Sequence, residues 1–297
     1  MVTPLDQPPL SVLNARAAKG FLTRAFVEAG LPFAEDDALE LILAATGLDK
    51  TSFILQGADP LPIDDIAMIE AYKARRLSGE PVDHILGWRE FYGRRFQISK
   101  EVLSPRADTE TLIRGALKRL TPTPEPSLLD LGTGSGAIGL TLLAEKPKAR
   151  LLATDLSKAA LSVAELNAEA LILCCRAEFH QGVWWEAVPA GRKFDMVLSN
   201  PPYITDAAME NLEREVLDFD PDMALRGGSD GLGAYRRIIS EADKYLKLGG
   251  WLGLEIGFDQ GHTLKKRLEA GTWSDISLET DLGGLDRVVW AQNSAEI

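Results

Sequence analysis

Apolar residues change their spacing part-way along the chain. Between residues 10 and 80 they recur every three or four positions. Val12, Leu13, Ala17, Phe21, Leu22, Phe26 and Val27 define one apolar face, and Ala38, Leu39, Leu41, Ile42 and Ala45 another. That spacing predicts amphipathic helices. Gly30-Leu31-Pro32 stops the first, Asp36 or Asp37 opens the second, and Gly47 ends it. Leu55 and the stretch 63–77 predict further short helices, separated by Gly57-Ala58-Asp59-Pro60. Gly79-Glu80-Pro81 marks a boundary. Beyond it Ile85, Trp88, Phe91, Tyr92, Phe96 and Ile98 alternate around a turn at Gly93-Arg94, which predicts a β-hairpin. Asp108 is placed to cap a helix reaching Leu120, and residues 121–126, with three prolines, form a stiff connector.

Short apolar runs then alternate with helical patterns. Strands are expected at 127–131, 150–154, 177–182, 194–200, 251–256, 273–281 and 287–292, and helices at 137–145, 158–170, 232–245 and 261–270. Seven strands with interleaved helices predict an α/β fold with a doubly wound, mostly parallel, Rossmann-like sheet. The last two strands have no helix between them and should pair as an antiparallel hairpin across Gly283-Gly284. The expected organisation is a small all-helical domain over 1–84, a linking hairpin over 85–104 and the α/β domain over 105–297.

Composition narrows the function classes. No run of about 18 apolar residues is present, so no membrane span is expected. Met1 to Leu10 has neither a basic start nor a long apolar core, so it does not read as a signal peptide. The only cysteines, Cys174 and Cys175, are adjacent. They read as buried small groups in a reducing cytoplasm. His84, His180 and His262 are scattered and predict no metal site. A net charge of −12 weighs against a nucleic-acid substrate, whose phosphates are bound by Lys and Arg.

Two motifs carry the chemistry. Leu128 to Gly136 reads as strand, glycine loop and helix start, where backbone can approach a ligand closely and unpaired N–H groups face it. Asp155 closes the next strand and can accept both ribose hydroxyls. The cofactor therefore contains a nucleoside; NAD and S-adenosylmethionine both fit. The second motif, Asn200-Pro201-Pro202-Tyr203, ends the strand at 194–200 in a stiff bend. The Asn200 amide oxygen and the Pro201 carbonyl can accept both hydrogens of a planar NH2 group, and Tyr203 offers a ring face. That suits methyl transfer to a weakly nucleophilic nitrogen. Asp130, at the loop entry, favours a cationic ligand over a pyrophosphate. Both features point to S-adenosylmethionine.

These motifs resemble the protein-(glutamine-N5) methyltransferases that modify peptide chain release factors. The resemblance covers nearly the whole chain and keeps the family's order. It runs through Gly79-Glu80-Pro81, Gly87-Trp88-Arg89-Glu90-Phe91-Tyr92-Gly93 and Leu103-Ser104-Pro105-Arg106-Ala107-Asp108-Thr109-Glu110. The glycine loop and Asn200 to Tyr203 follow, then Glu255-Ile256-Gly257, Gln260-Gly261 and Asp286-Arg287-Val288-Val289. It implies a Rossmann-like methyltransferase sheet and, as substrate, the glutamine of the Gly-Gly-Gln loop in class I release factors. It also implies a helical domain that docks the factor. Gly132, Thr133, Gly134, Ser135, Gly136, Asp155 and Trp184 then bind S-adenosylmethionine, with Asn200 beside it. Asn200, Pro201, Pro202 and Tyr203 hold the glutamine, and Phe91 closes its other side. Catalysis falls to Asn200, Pro201 and Tyr203, with no metal. Two positions depart from the family pattern: Val183 stands where a polar residue is common, and Ala107 where a second proline is usual. Trp184-Trp185 leaves the choice of stacking residue open. The expected state is a cytoplasmic monomer. Competing readings are a nucleic-acid amino-methyltransferase, an NAD-dependent oxidoreductase and a non-catalytic release-factor-binding module.

Overall fold

The computed structural model describes residues 14–294. Val12, Leu13 and the stretch Met1 to Leu10 lie outside them. The chain divides into two compact units at Gly87/Trp88.

The first unit is helical: Ala15–Glu28, Ala34–Thr46, Lys50–Gln56, Ile63–Leu77 and Val82–Leu86. Ala18, Leu22 and Phe26 pack with Ala38, Leu41, Ile42 and Ile69 in its core. The second helix does not open on an aspartate. Phe33, in the left-handed conformation, occupies its N-cap, while Asp36 and Asp37 fall within the first turn, where acidic groups favour the helix dipole. Asp37 instead pairs with the buried Arg76 at 2.7 Å. Ile85 lies in the helix Val82–Leu86 rather than in a strand.

The second unit opens with the hairpin β1 (Trp88–Phe91) and β2 (Arg94–Gln97). The main sheet is built from β3 (Ser127–Leu131), β4 (Arg150–Asp155), β5 (Ala177–Gln181), β6 (Phe194–Ser199), β9 (Leu246–Glu255), β10 (Trp273–Thr280) and β11 (Asp286–Asn293). Its order is β10-β11-β9-β6-β3-β4-β5. β11 runs antiparallel to both neighbours, and the other pairs are parallel. The period of two sends Leu128, Leu151, Met196 and Leu198 to one face and Leu129, Leu131, Leu152 and Val197 to the other. Helices Glu110–Arg119 and Ala137–Glu145 cover the first face; Gly233–Ile239 and Gly261–Glu269 cover the second. The chain enters the sheet at β3, winds out through β4 and β5, and returns to β6 on the other side of β3. This switch point opens a crevice at the carboxyl ends of β3 and β6, where such sheets bind ligands.

Further local expectations fail in the second unit. Asp108 does not cap the helix Glu110–Arg119: a 3-10 turn, Ala107–Thr109, precedes it, and Thr109 takes the cap position without a side-chain bond. The predicted helix over 232–245 is two helices, Gly233–Ile239 and Ala242–Tyr245. Cys174 and Cys175 are exposed, because they sit on a 3-10 turn outside the sheet.

Candidate active site

The glycine loop follows β3 and leads straight into the helix Ala137–Glu145. Gly136 is in the left-handed conformation (φ +82°), and a Cβ there would meet Leu140 at 2.7 Å. Gly139 lets the helix approach β4, since a Cβ would lie 2.7 Å from the Leu151 side chain. Asp130 braces this loop from beneath. Its Oδ2 accepts the Thr133 hydroxyl at 2.7 Å and the Gly139 N–H at 3.1 Å. Being two residues on from Leu128, it shares that buried face and does not line the cavity. Its carboxyl is pushed up to about 6 by burial, against those hydrogen bonds. Asp130 therefore shapes the loop rather than facing a ligand's charge.

Asp155 ends β4. Its Oδ2 accepts the Gly134 N–H at 2.9 Å and its Oδ1 the Ser157 N–H at 2.8 Å. Burial raises its pKa, and the backbone donors oppose the rise. Next to it, the turn after β5 brings Trp184 to the cavity at a positive φ of 48°. The tryptophan pair divides cleanly. Trp185 is buried, donates its indole N–H to the Arg237 carbonyl at 3.1 Å and stacks on Tyr245 at 4.6 Å. Trp184 lines the cavity.

β6 ends at Ser199, whose hydroxyl donates to the Leu131 carbonyl at 2.6 Å and joins the ends of β6 and β3. The bend then sets Asn200, Pro201 and Pro202 along one cavity that also contains Gly132, Thr133, Gly134, Ser135, Asp155 and Trp184. Gly136 stands just behind it. Tyr203 lies beyond the bend, outside the residues that line the cavity, and is partly buried against the core of the second sheet face. Burial, and then the Glu255 charge, raise its pKa, so it remains a phenol. Phe91 is not brought to the cavity. It is 2% exposed and packs edge-on against Phe96 at 6.1 Å, because the β1–β2 hairpin turns its apolar side into the core.

No periodic apolar pattern marks the stretch 204–231. It forms a cap over the bend. β7 (Ile204–Thr205) pairs in parallel with β8 (Arg226–Gly228), and Pro221, Met223 and Ala224 line the cavity. Its glycines were the available signal: a Cβ on Gly227 would lie 2.8 Å from the Tyr203 Cα, and one on Gly231 would overlap the Tyr203 carbonyl oxygen. Gln260 locks the same region. Its Nε2 donates to the Tyr203 and Gly231 carbonyls at 3.2 and 3.3 Å, and its Oε1 accepts from Gly257 N–H at 3.0 Å. Arg106 and Thr109 also line the cavity, and Arg106 pairs with Asp220 at 2.7 Å. Asp108 pairs with Arg287 at 3.2 Å instead. Among the described residues, no group of three or more His, Cys, Asp or Glu is placed to hold a metal, and no helix is long and apolar enough to cross a membrane.

Comparison with known proteins decides the family. Residues 109–220 match the family described as methyltransferase small domain, and residues 21–87 match the PrmC N-terminal domain. A release factor glutamine methyltransferase of Cereibacter sphaeroides is 44% identical over 264 residues, covering 89% of this chain and 93% of that one. The chain belongs to the release factor glutamine methyltransferases. Two further members of that family show the same extent of likeness. The protein of Caulobacter vibrioides is 38% identical over 88% of this chain and 90% of its own. That of Bradyrhizobium diazoefficiens is 40% identical over 98% and 99%. Among solved structures, the hMettl16 catalytic domain in complex with the MAT2A 3'UTR hairpin 1 superposes with a TM-score of 0.58 at 18% identity, over 75% of this chain and 81% of that one. The human methyltransferase 10 domain containing protein gives 0.52 at 18% identity, over 70% and 92%. These two likenesses bear on the fold alone. As a member of its family the chain is an enzyme, a methyltransferase.

Proposed function

We propose that this enzyme transfers the methyl group of S-adenosylmethionine to the side-chain amide nitrogen, N5, of the glutamine in the Gly-Gly-Gln loop of class I peptide chain release factors. One observation carries the reading: Asn200 and Pro201 line the same cavity as the glycine loop and Asp155. A nucleoside site and an NH2-holding bend thus open into the same space.

The residues fit the cofactor. Asp155 is fixed by one backbone N–H on each oxygen, which leaves lone pairs for ribose hydroxyls. Gly132, Thr133, Gly134, Ser135 and Gly136 offer backbone to its amino-acid portion, and Trp184 offers a face to adenine. When bound, S-adenosylmethionine supplies an electrophilic methyl group on a sulfonium. An amide nitrogen is a weak nucleophile because its lone pair is delocalised. The Asn200 Oδ1 and the Pro201 carbonyl accept its two N–H groups and favour partial pyramidalisation. Tyr203, kept neutral one residue beyond the cavity lining, offers its ring to the amide plane, and Pro202 stiffens the bend. Positioning of this kind reaches effective molarities of about 10^5 M. No strong base is required, because the nitrogen sheds its proton after attack.

The N-terminal helical unit, which ends at Gly87, serves as the docking domain for the release factor, and the hairpin expected as a linker opens the second unit. The enzyme acts as a cytoplasmic monomer and does not bind nucleic acid directly. The test is methyl transfer from labelled S-adenosylmethionine to a purified release factor and to the same factor with its Gly-Gly-Gln glutamine replaced. Label on the first alone supports the reading. Label on neither, but on naked RNA or DNA, overturns it.

A further inference from the structure

The carboxyl ends of β6 and β9 bring Asn200 beside Glu255. The parallel register pairs Ser199 with Leu254, so the next residue of each chain falls level. Glu255 is 2% exposed, and its Oε2 has no hydrogen-bond partner. The Thr109 and Asn200 side chains lie close enough to its carboxylate to favour the charged form. Its backbone carbonyl is held separately by the Tyr235 hydroxyl at 2.8 Å, which fixes the strand end.

A carboxylate only accepts hydrogen bonds, whereas an asparagine amide has one donating end and one accepting end. The two ends are nearly equal in shape, so an asparagine with neutral neighbours can present either. With a buried carboxylate behind it, the Asn200 NH2 group must face Glu255. Its Oδ1 is then turned the other way, toward the cavity that Asn200 lines. The reversed orientation would set oxygen against carboxylate and point donors at a substrate amide that is itself a donor.

We propose that Glu255 is a positioning residue, whose carboxylate fixes the Asn200 amide in the orientation that presents Oδ1 to the substrate's amide N–H. The proposal rests on the reading of Asn200 as an acceptor. The groups around Glu255 are Arg287 of β11, Asp108 and Thr109 of the 3-10 turn, Tyr203 beyond β6 and Tyr235 of the helix Gly233–Ile239. Burial pushes the Glu255 carboxyl up to about 7, with Thr109, Arg287 and Asn200 opposing the rise and Asp108 adding to it. Once protonated, it can donate to the Asn200 oxygen, and the orientation is lost. Turnover should therefore fall on the acid side of neutrality.

The test uses the full chain, a release factor and S-adenosylmethionine, with the variants N200A, E255Q and the double variant. E255Q should lower kcat by about tenfold to a hundredfold, the worth of a charged hydrogen bond. Its cofactor Kd, measured by titration calorimetry, should stay within about twofold of the parent value, well inside the tenfold that 1.4 kcal/mol represents. The acid limb of the kcat profile should disappear, and the double variant should be no slower than N200A. In the free protein, the Asn200 side-chain NH2 resonances, identified by their loss in N200A, should shift in E255Q. Parental kcat in E255Q, fully multiplicative losses in the double variant or unmoved resonances would overturn the proposal while leaving the role of Asn200 intact. Parental turnover in N200A would overturn that role and the proposal with it.

Discussion

Asp155 Oδ2 accepts the Gly134 N–H at 2.9 Å, so the acidic side chain at the end of β4 and the glycine loop after β3 are one hydrogen-bonded unit. The carboxylate is oriented before any ligand arrives. Asp155→Ala should weaken S-adenosylmethionine binding by about tenfold to a hundredfold, as expected for a lost charge-assisted hydrogen bond. Asp155→Asn keeps an acceptor and should fall between. Calorimetric titration of the two variants checks this. An alanine variant with the parental affinity would remove Asp155 from the cofactor site.

Two glycines of the loop region should fail in different ways. A Cβ on Gly139 would lie 2.7 and 2.9 Å from the Leu151 methyls and 3.1 Å from Asp130 Oδ2. Gly139→Ala should therefore cost about 1–3 kcal/mol of stability through overpacking. Gly134 has open space around its missing side chain, but its φ is +56°. Gly134→Ala should cost only about 1 kcal/mol, the penalty of the left-handed conformation. Urea denaturation of the cofactor-free variants separates them; equal losses would show that packing at Gly139 is not the limit.

Trp184 and Trp185 should separate binding from stability. Trp185 is enclosed, stacked on Tyr245 and hydrogen-bonded to the Arg237 carbonyl. Trp185→Ala should cost about 3–5 kcal/mol, as for other large-to-small core changes. Trp184 lines the cavity at a strained positive φ. Trp184→Ala should leave the melting transition nearly unchanged and weaken cofactor binding. If Trp184→Ala instead unfolds the protein and binds the cofactor normally once folded, the assignment of the pair is reversed.

What could be read from the sequence follows from the range of the forces involved. The strand at 127–131, the helix Ala137–Glu145 and the bend at Asn200 are set by local apolar runs, glycines and prolines, and they fall where expected. Asp108 departs from the expected cap because a distant partner, Arg287, takes the side chain that local rules assign to a helix cap. Phe91 faces the core and not the cavity, a choice that alternation within a hairpin does not specify. The cap over 204–231 consists of elements a few residues long, too short for any period to show. Glu255 could not be tied to Asn200, because β6 and β9 become neighbours only through the order of the sheet.

The buried carboxyls give a final prediction, in stability against pH. Glu255 is raised from 4.5 to about 7 and Asp130 from 3.8 to about 6, both mainly by burial. A raised folded-state value means that the folded protein holds these protons longer than the unfolded chain. Each contribution is full below the unfolded value and is lost as pH rises through the folded one. Stability should thus decline between about pH 4 and pH 7, by roughly 3 kcal/mol for each group. Glu255→Gln cannot ionise. Relative to the parent it should gain stability across pH 4.5 to 7 by up to roughly 3 kcal/mol, less what Thr109, Arg287 and Asn200 contributed to the charged form, and then level off. Urea midpoints at pH 5 and pH 8 measure this. A pH-independent difference would show that Glu255 does not titrate in that window. A rising one, together with slower turnover, would mean that the charge opposes folding and is present because it orients Asn200.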